Sequence, residues 1–161
     1  MITSTDYASL WTRPIARGWG TALAGASVVC QNDASWAFDS RSKMAARTKE
    51  LNQVLDLEGH LARFFNASAV GFTDMQPHGE LAATSVCLAN PGREYVSYLE
   101  SGQRLTMDLT AAKARRLQAR WYDPNQGTFT PAGEITGGNS AEPFTPPFAG
   151  GAVLHLRLIA D

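Results

Sequence analysis

The sequence predicts a mainly β protein, an antiparallel β-sandwich preceded by a helix-strand-helix segment of α/β character. Three observations carry this. After residue 66, short runs alternate apolar and polar side chains, the mark of strands with one buried and one wet face. Turn residues punctuate those runs, as in a sandwich of about seven short strands. Before residue 66 the apolar spacing is that of helices, interrupted by one short apolar run without alternation. The implied division is 1–66 and 67–161.

Taken in order, Thr12 can cap a helix, and Pro14 falls in its first turn, where a missing N–H is harmless. Ile15, Trp19, Leu23 and Ala26 then form its stripe. Gly18, Gly20 and Gly25 predict close packing against a neighbour. Ala26 to Cys30 reads as a strand buried on both faces. A loop from Gln31 follows, carrying Trp36 and Phe38. Asp39 or Ser40 can cap a long helix reaching about Phe65, with Met44, Leu51, Leu55, Ala62 and Phe65 as its apolar stripe.

Ala69 to Asp74 reads as a first strand and Gln76 to Gly79 as a turn. The clearest stretch is Val86 to Leu99, two strands joined at Asn90-Pro91-Gly92-Arg93. Pro91 presets φ and Gly92 accepts a positive φ, as a type II turn demands. Further strands are expected at Arg104 to Leu109, Arg116 to Asp123, Thr128 to Ile135 and Ala152 to Ile159. Leu105, Met107 and Leu109 oppose Arg104, Thr106 and Asp108. Leu117, Ala119 and Trp121 oppose Arg116, Gln118, Arg120 and Tyr122, while Leu154, Leu156 and Leu158 oppose His155 and Arg157. Pro143 to Pro147 reads as a loop.

Composition excludes several functions. With 44% hydrophobic residues the chain can bury a core, and a net charge of −1 lacks the basic excess of a nucleic-acid binder. No apolar run reaches membrane-spanning length. The start MITSTDYASLW has no signal-peptide character, so the default localisation is cytoplasmic. Cys30 and Cys87 lie in apolar runs and read as buried thiols ahead of a bridge. His60, His78 and His155 share no ligand spacing, so no metal is expected, and no phosphate-binding glycine motif or nucleophile elbow implies a cofactor or catalytic residue. Glu94 and Glu100 read as charges on a solvent edge. Trp121 reads as core. Tyr122, with Arg116 and Arg120, falls on the wet face, either as a recognition surface or as an ordinary solvated one.

The segment CLANPGREYVSYLESGQRLTMDLT, then RLQARWYDPNQGTFTPAGEITGG, then FTPPFAGGAVLHL resembles a known module. It is similar to the small collagen-binding β-sandwich attached to glycoside-hydrolase-like (β/α)₈ barrels, including apiosidase-like enzymes. The likeness spans about Val70 to Leu158. Upstream, RGWGTALAGASVVC and the helix to HLARFFN look similar to the last part of such barrels, making the first segment a helix-strand-helix remnant of an α/β barrel. On that resemblance Gln31, Asn32, Asp33 and Trp36 occupy the eighth βα-loop, where a Trp ring and neighbouring polar groups suit a sugar. The alternative is that Trp36 and Phe38 simply cover an exposed edge.

In such barrels the catalytic carboxylates stand on several strands, and no acidic residue here matches them. The expectation is therefore a non-catalytic accessory or structural module with weak carbohydrate or matrix-polymer binding. The alternative is the C-terminal part of a glycoside hydrolase active only with the rest of its barrel. An apolar remnant strand needs a cover, which predicts a two-fold homodimer through the N-terminal segment.

Overall fold

The computed structural model describes residues 13–26, 56–66, 70–101 and 104–159. They form a mainly β structure in three layers. A six-stranded antiparallel sheet runs in the order β1-β2-β3-β8-β5-β6, from β1 (Gln76–Pro77), β2 (Cys87–Asn90), β3 (Glu94–Leu99), β5 (Arg116–Asp123), β6 (Thr128–Thr136) and β8 (Ala152–Leu158). A second sheet, β4 (Leu105–Met107) with β7 (Glu142–Phe144), covers one of its faces. Helix α1 (Arg13–Leu23) and a second helix, α2, helical over 56–66, pack on the other.

The inner faces of the two sheets enclose the sandwich core. Leu105, Met107 and Leu109 come from the β4 strand and its extension, Leu117, Ala119 and Trp121 from β5, and Leu154 and Leu156 from β8. All are buried, as their alternation predicts. β5 and the β2–β3 hairpin fall where expected, and Gly92 takes φ +84° while Arg93 N–H donates to the Asn90 carbonyl at 2.9 Å. A Cβ at Gly92 would sit 2.7 Å from the Ala111 carbonyl oxygen. Gly92→Ala therefore combines backbone strain with a clash, and should cost about 1–3 kcal/mol in denaturant titrations.

Several local expectations are corrected. Residues Phe72–Asp74 form a 3₁₀ turn rather than a strand, and the short strand is Gln76–Pro77, expected as a turn. Pro77 can occupy that position because β1 is an edge strand. Glu142–Phe144 pairs with β4, although Pro143 to Pro147 reads as a loop. A Cβ at Gly18 or Gly20 would meet nothing, so neither marks a close approach. Gly25 does. It sits at φ +74° with the Pro77 ring beside it, and ends α1 in a Schellman pattern through Ala26 N–H to Thr21 O and Gly25 N–H to Ala22 O. Ala26 is exposed beyond that cap and leaves the helical stripe.

The largest correction concerns the face read as wet. β3 is buried along its whole length and β8 along its first five residues, because helices cover the side that alternation assigned to solvent. Trp19, Leu23 and Phe64 descend from the helices onto Leu88, Val96, Tyr98, Tyr122 and Val153. The Trp19 and Phe64 rings lie 5.1 Å apart, edge to face, and Phe64 meets Tyr122 at the same separation. The α2 helix is also tied to the β5–β6 turn, with His60 Nδ1 3.0 Å from the Pro124 carbonyl. Residues 27–30 of the expected remnant strand, the 31–38 loop and the first part of the long helix lie outside the described residues.

Candidate functional site

Three polar side chains share the helix-covered face. The strand order places β8 between β3 and β5, so His155 sits across from Val96 on one side and Arg120 on the other. Glu94, two residues before Val96, projects from the same face of β3. A bulge sits beside Arg120: the β5–β6 register shifts between Ala119 and Arg120, with Gly133 opposite at φ +88°.

The resulting chain of hydrogen bonds is ordered by chemistry. Arg120 Nε–H can only donate, and it reaches His155 Nδ1 at 2.8 Å. Nδ1 must then be the lone-pair nitrogen, and the proton sits on Nε2, which donates to Glu94 Oε1 at 2.6 Å. Gly71 N–H also donates to this carboxylate, at 3.1 and 3.2 Å to its two oxygens. The imidazole is thus a neutral bridge between a cation and an anion.

The electrostatics agree. Burial pushes the His155 pKa below its usual value, the cations Arg120 and Arg157 push the same way, and the Glu94 carboxylate only partly offsets them. Burial pushes Glu94 up, but the hydrogen bonds from His155 and Gly71, with Arg157 nearby, bring its pKa below the ordinary carboxylate value. Arg120 lies against the Phe129 ring, its Cζ 4.0 Å from the centroid, and its Nη2 is buried without a partner among the described residues. Both ring nitrogens of His155 are committed, leaving neither for proton transfer to a substrate. This arrangement holds β3, β5 and β8 together; it does not present a reactive atom.

Glu94 and His155 are 8% and 0% exposed, so reading Glu94 as a solvent-edge charge and His155 as part of a wet face is corrected. Tyr122 is 1% exposed, beneath Phe64 and Trp19, and its hydroxyl donates to the His60 carbonyl at 2.8 Å. Its placement on a wet face is corrected too, since α2 covers it. Gln31, Asn32, Asp33 and Trp36 lie outside the described residues. Alternation put Arg120, His155 and Arg157 on one side of their strands, but the β3–β8–β5 order that joins them to Glu94 has no local signature.

Cys87 is a buried free thiol whose pKa is pushed up to about 12, first by burial and then by Glu80. It should resist a water-soluble disulfide reagent in the native protein and react only once the chain is unfolded. Rapid native labelling of this residue, identified by peptide mapping, would contradict the burial. Among the described residues no group of three His, Cys, Asp or Glu could hold a metal ion.

A groove of about 690 Å³ runs between α1, α2 and β1, with Leu61, Phe65, Phe72 and Met75 in its walls beside Glu58 and Gln76. Phe72 is 43% exposed there.

Residues 78–156 match the family model described as "Putative collagen-binding domain of a collagenase". Two solved structures are similar in fold. One, titled "Glycoside hydrolase", has a TM-score of 0.50 and 16% identity over 61% of this chain and 24% of its own. The other, a glycoside hydrolase family 5 protein from Bacteroides vulgatus ATCC 8482, has a TM-score of 0.54 and 16% identity over 65% of this chain and 24% of its own. The chain therefore spans about a quarter of each of these proteins. No curated protein matches it.

Proposed function

From the collagen-binding-like sandwich at residues 78–156, we propose that this chain is a non-catalytic accessory module of a glycoside-hydrolase-type protein, with weak binding to carbohydrate or matrix polymer. The family match is the observation that carries the reading. The site geometry supports it, since the buried carboxylate, Glu94, is engaged by His155 and Gly71 in a contact that joins strands. Gln31, Asn32, Asp33 and Trp36 remain the proposed sugar contacts on the N-terminal side.

The test has two arms. Purified chain should release no nitrophenol from a panel of aryl glycosides, and it should be retained by insoluble polysaccharide or by fibrillar collagen in pull-down assays. Turnover that copurifies with the chain and is abolished by a carboxylate substitution would overturn the non-catalytic reading. It would favour the alternative, a C-terminal portion of a glycoside hydrolase that works with the rest of its barrel.

The same proposal includes self-association through the N-terminal segment. The exposed Phe72 in the groove beside α1 supports it, because exposed apolar side chains gain by being covered. Sedimentation at micromolar concentration should show a dimer, and a monomer throughout would remove this part.

A further inference from the structure

At the far end of the sheet from the β5–β6 turn, three chain segments converge on a second concavity, of about 640 Å³. Its walls are Pro91 and Arg93 from the β2–β3 turn, Ala114, Arg115 and Arg116 at the start of β5, and Leu158 and Ile159 at the end of β8. The three arginines are exposed. Arg116 pairs with Glu134, but neither Arg93 nor Arg115 has a carboxylate partner among the described residues. Among the described residues, two guanidinium groups therefore stand without a carboxylate partner beside Pro91, Ala114, Leu158 and Ile159.

The rim is held rather than loose. Leu158 N–H donates to the Arg93 carbonyl at 2.7 Å and Ile159 N–H to the Arg116 carbonyl at 3.0 Å, fixing both arginine backbones against β8. Arg115 Nη1 donates to the Gly92 carbonyl at 3.1 Å, crossing from one wall to the other. Ala114 adopts φ +61°, a conformation that costs a non-glycine residue energy and that turns the chain into Arg115. A pre-set fork of donors loses less entropy on binding than free side chains do.

We propose that this concavity binds the anionic groups of an acidic polysaccharide, carboxylates of uronate units or sulfate esters, with the sugar ring beside Leu158 and Ile159. Planar guanidinium groups donate paired hydrogen bonds to such oxyanions, and a pocket of this size takes one or two sugar rings. The proposal rests on the accessory-module reading, and refines it by naming the charge of the polymer and the residues that select it.

The experiment is affinity electrophoresis and titration of the whole chain with polygalacturonate, dextran sulfate, neutral dextran and duplex DNA. The acidic polysaccharides should retard the protein, less so at high salt, and neutral dextran should not. Retention by polygalacturonate alone assigns a uronate carboxylate, and by dextran sulfate alone a sulfate. Arg93→Gln should weaken binding about tenfold, and Arg93→Gln with Arg115→Gln should abolish it. Because Arg115 also braces Gly92, unchanged thermal unfolding of the Arg93→Gln single variant keeps the result interpretable. Duplex DNA bound as tightly as the acidic polysaccharides would overturn the proposal in favour of unspecific polyanion attraction. Binding of neutral polysaccharide or collagen, unaffected by these arginines, would overturn it while sparing the module reading. Aryl-glycoside hydrolysis would overturn that reading and leave the arginine site standing.

Discussion

Phe64→Ala should destabilise the chain by about 3–5 kcal/mol, measured as a shift in the denaturant midpoint at unchanged slope. Phe64 is 0% exposed and joins the helical layer to the sheet. Its ring lies 5.1 Å from those of Trp19 and Tyr122, 5.7 Å from Phe129 and 6.0 Å from His155. Aromatic rings and central strands line the void it would leave, so relaxation can fill little of it. Amide exchange over 56–66 should accelerate, and water reaching His155 should let its pKa drift back towards normal. Phe72→Ala is the control. That ring is 43% exposed, and its loss should cost no more than about 1 kcal/mol. Equal costs for the two variants would mean that α2 does not dock as described.

The second large effect is at His155. Among the described residues, His155→Ala leaves the Glu94 carboxylate with Gly71 N–H as its hydrogen-bond donor and Arg157 nearby, and strands Arg120 Nε beside its already unpartnered Nη2. Breaking a buried, hydrogen-bonded charged group in this way costs about 3–5 kcal/mol. The pH dependence follows from the same geometry. Below His155's ordinary value of 6.5, the unfolded chain takes up a proton at this position that the native chain resists. Stability is therefore complete above that value and declines as pH falls below it. Glu94 acts with the same sign in a lower window, its contribution lost as pH falls below the ordinary 4.5. His155→Gln should flatten the stability profile between about pH 7 and 5 and leave the lower window in place. A wild-type profile that rises on acidification through that range would refute the assignment of a neutral imidazole.

Local chemistry made the sandwich legible. Leu117, Ala119 and Trp121 point one way because side chains alternate along a strand, and Gly92 marks a turn because few other residues accept its φ. What alternation cannot say is what lies over the polar face. Arg116 and Gln118 are exposed, while Tyr122 on the same strand and the same face is buried, because helix α2 crosses only the far half of β5. The β4–β7 pair escaped notice for a related reason. Glu142-Pro143-Phe144 has the composition of a loop and becomes a strand by pairing with Leu105-Thr106-Met107.

The sequence alone determined the character of the sheet, its turns and the inward set of Leu, Met and Trp residues, since these follow from backbone sterics and from the cost of leaving apolar surface in water. Tertiary structure decided the rest. It seated β8 between β3 and β5, which brought Glu94, His155 and Arg120 from 61 positions of chain into one hydrogen-bonded line. It also laid Phe64 against His155 and Trp19 against Tyr98 and Tyr122, so that a face written in polar residues became an interior. A strand's neighbours are chosen by long-range packing, and no stretch of sequence carries that information by itself.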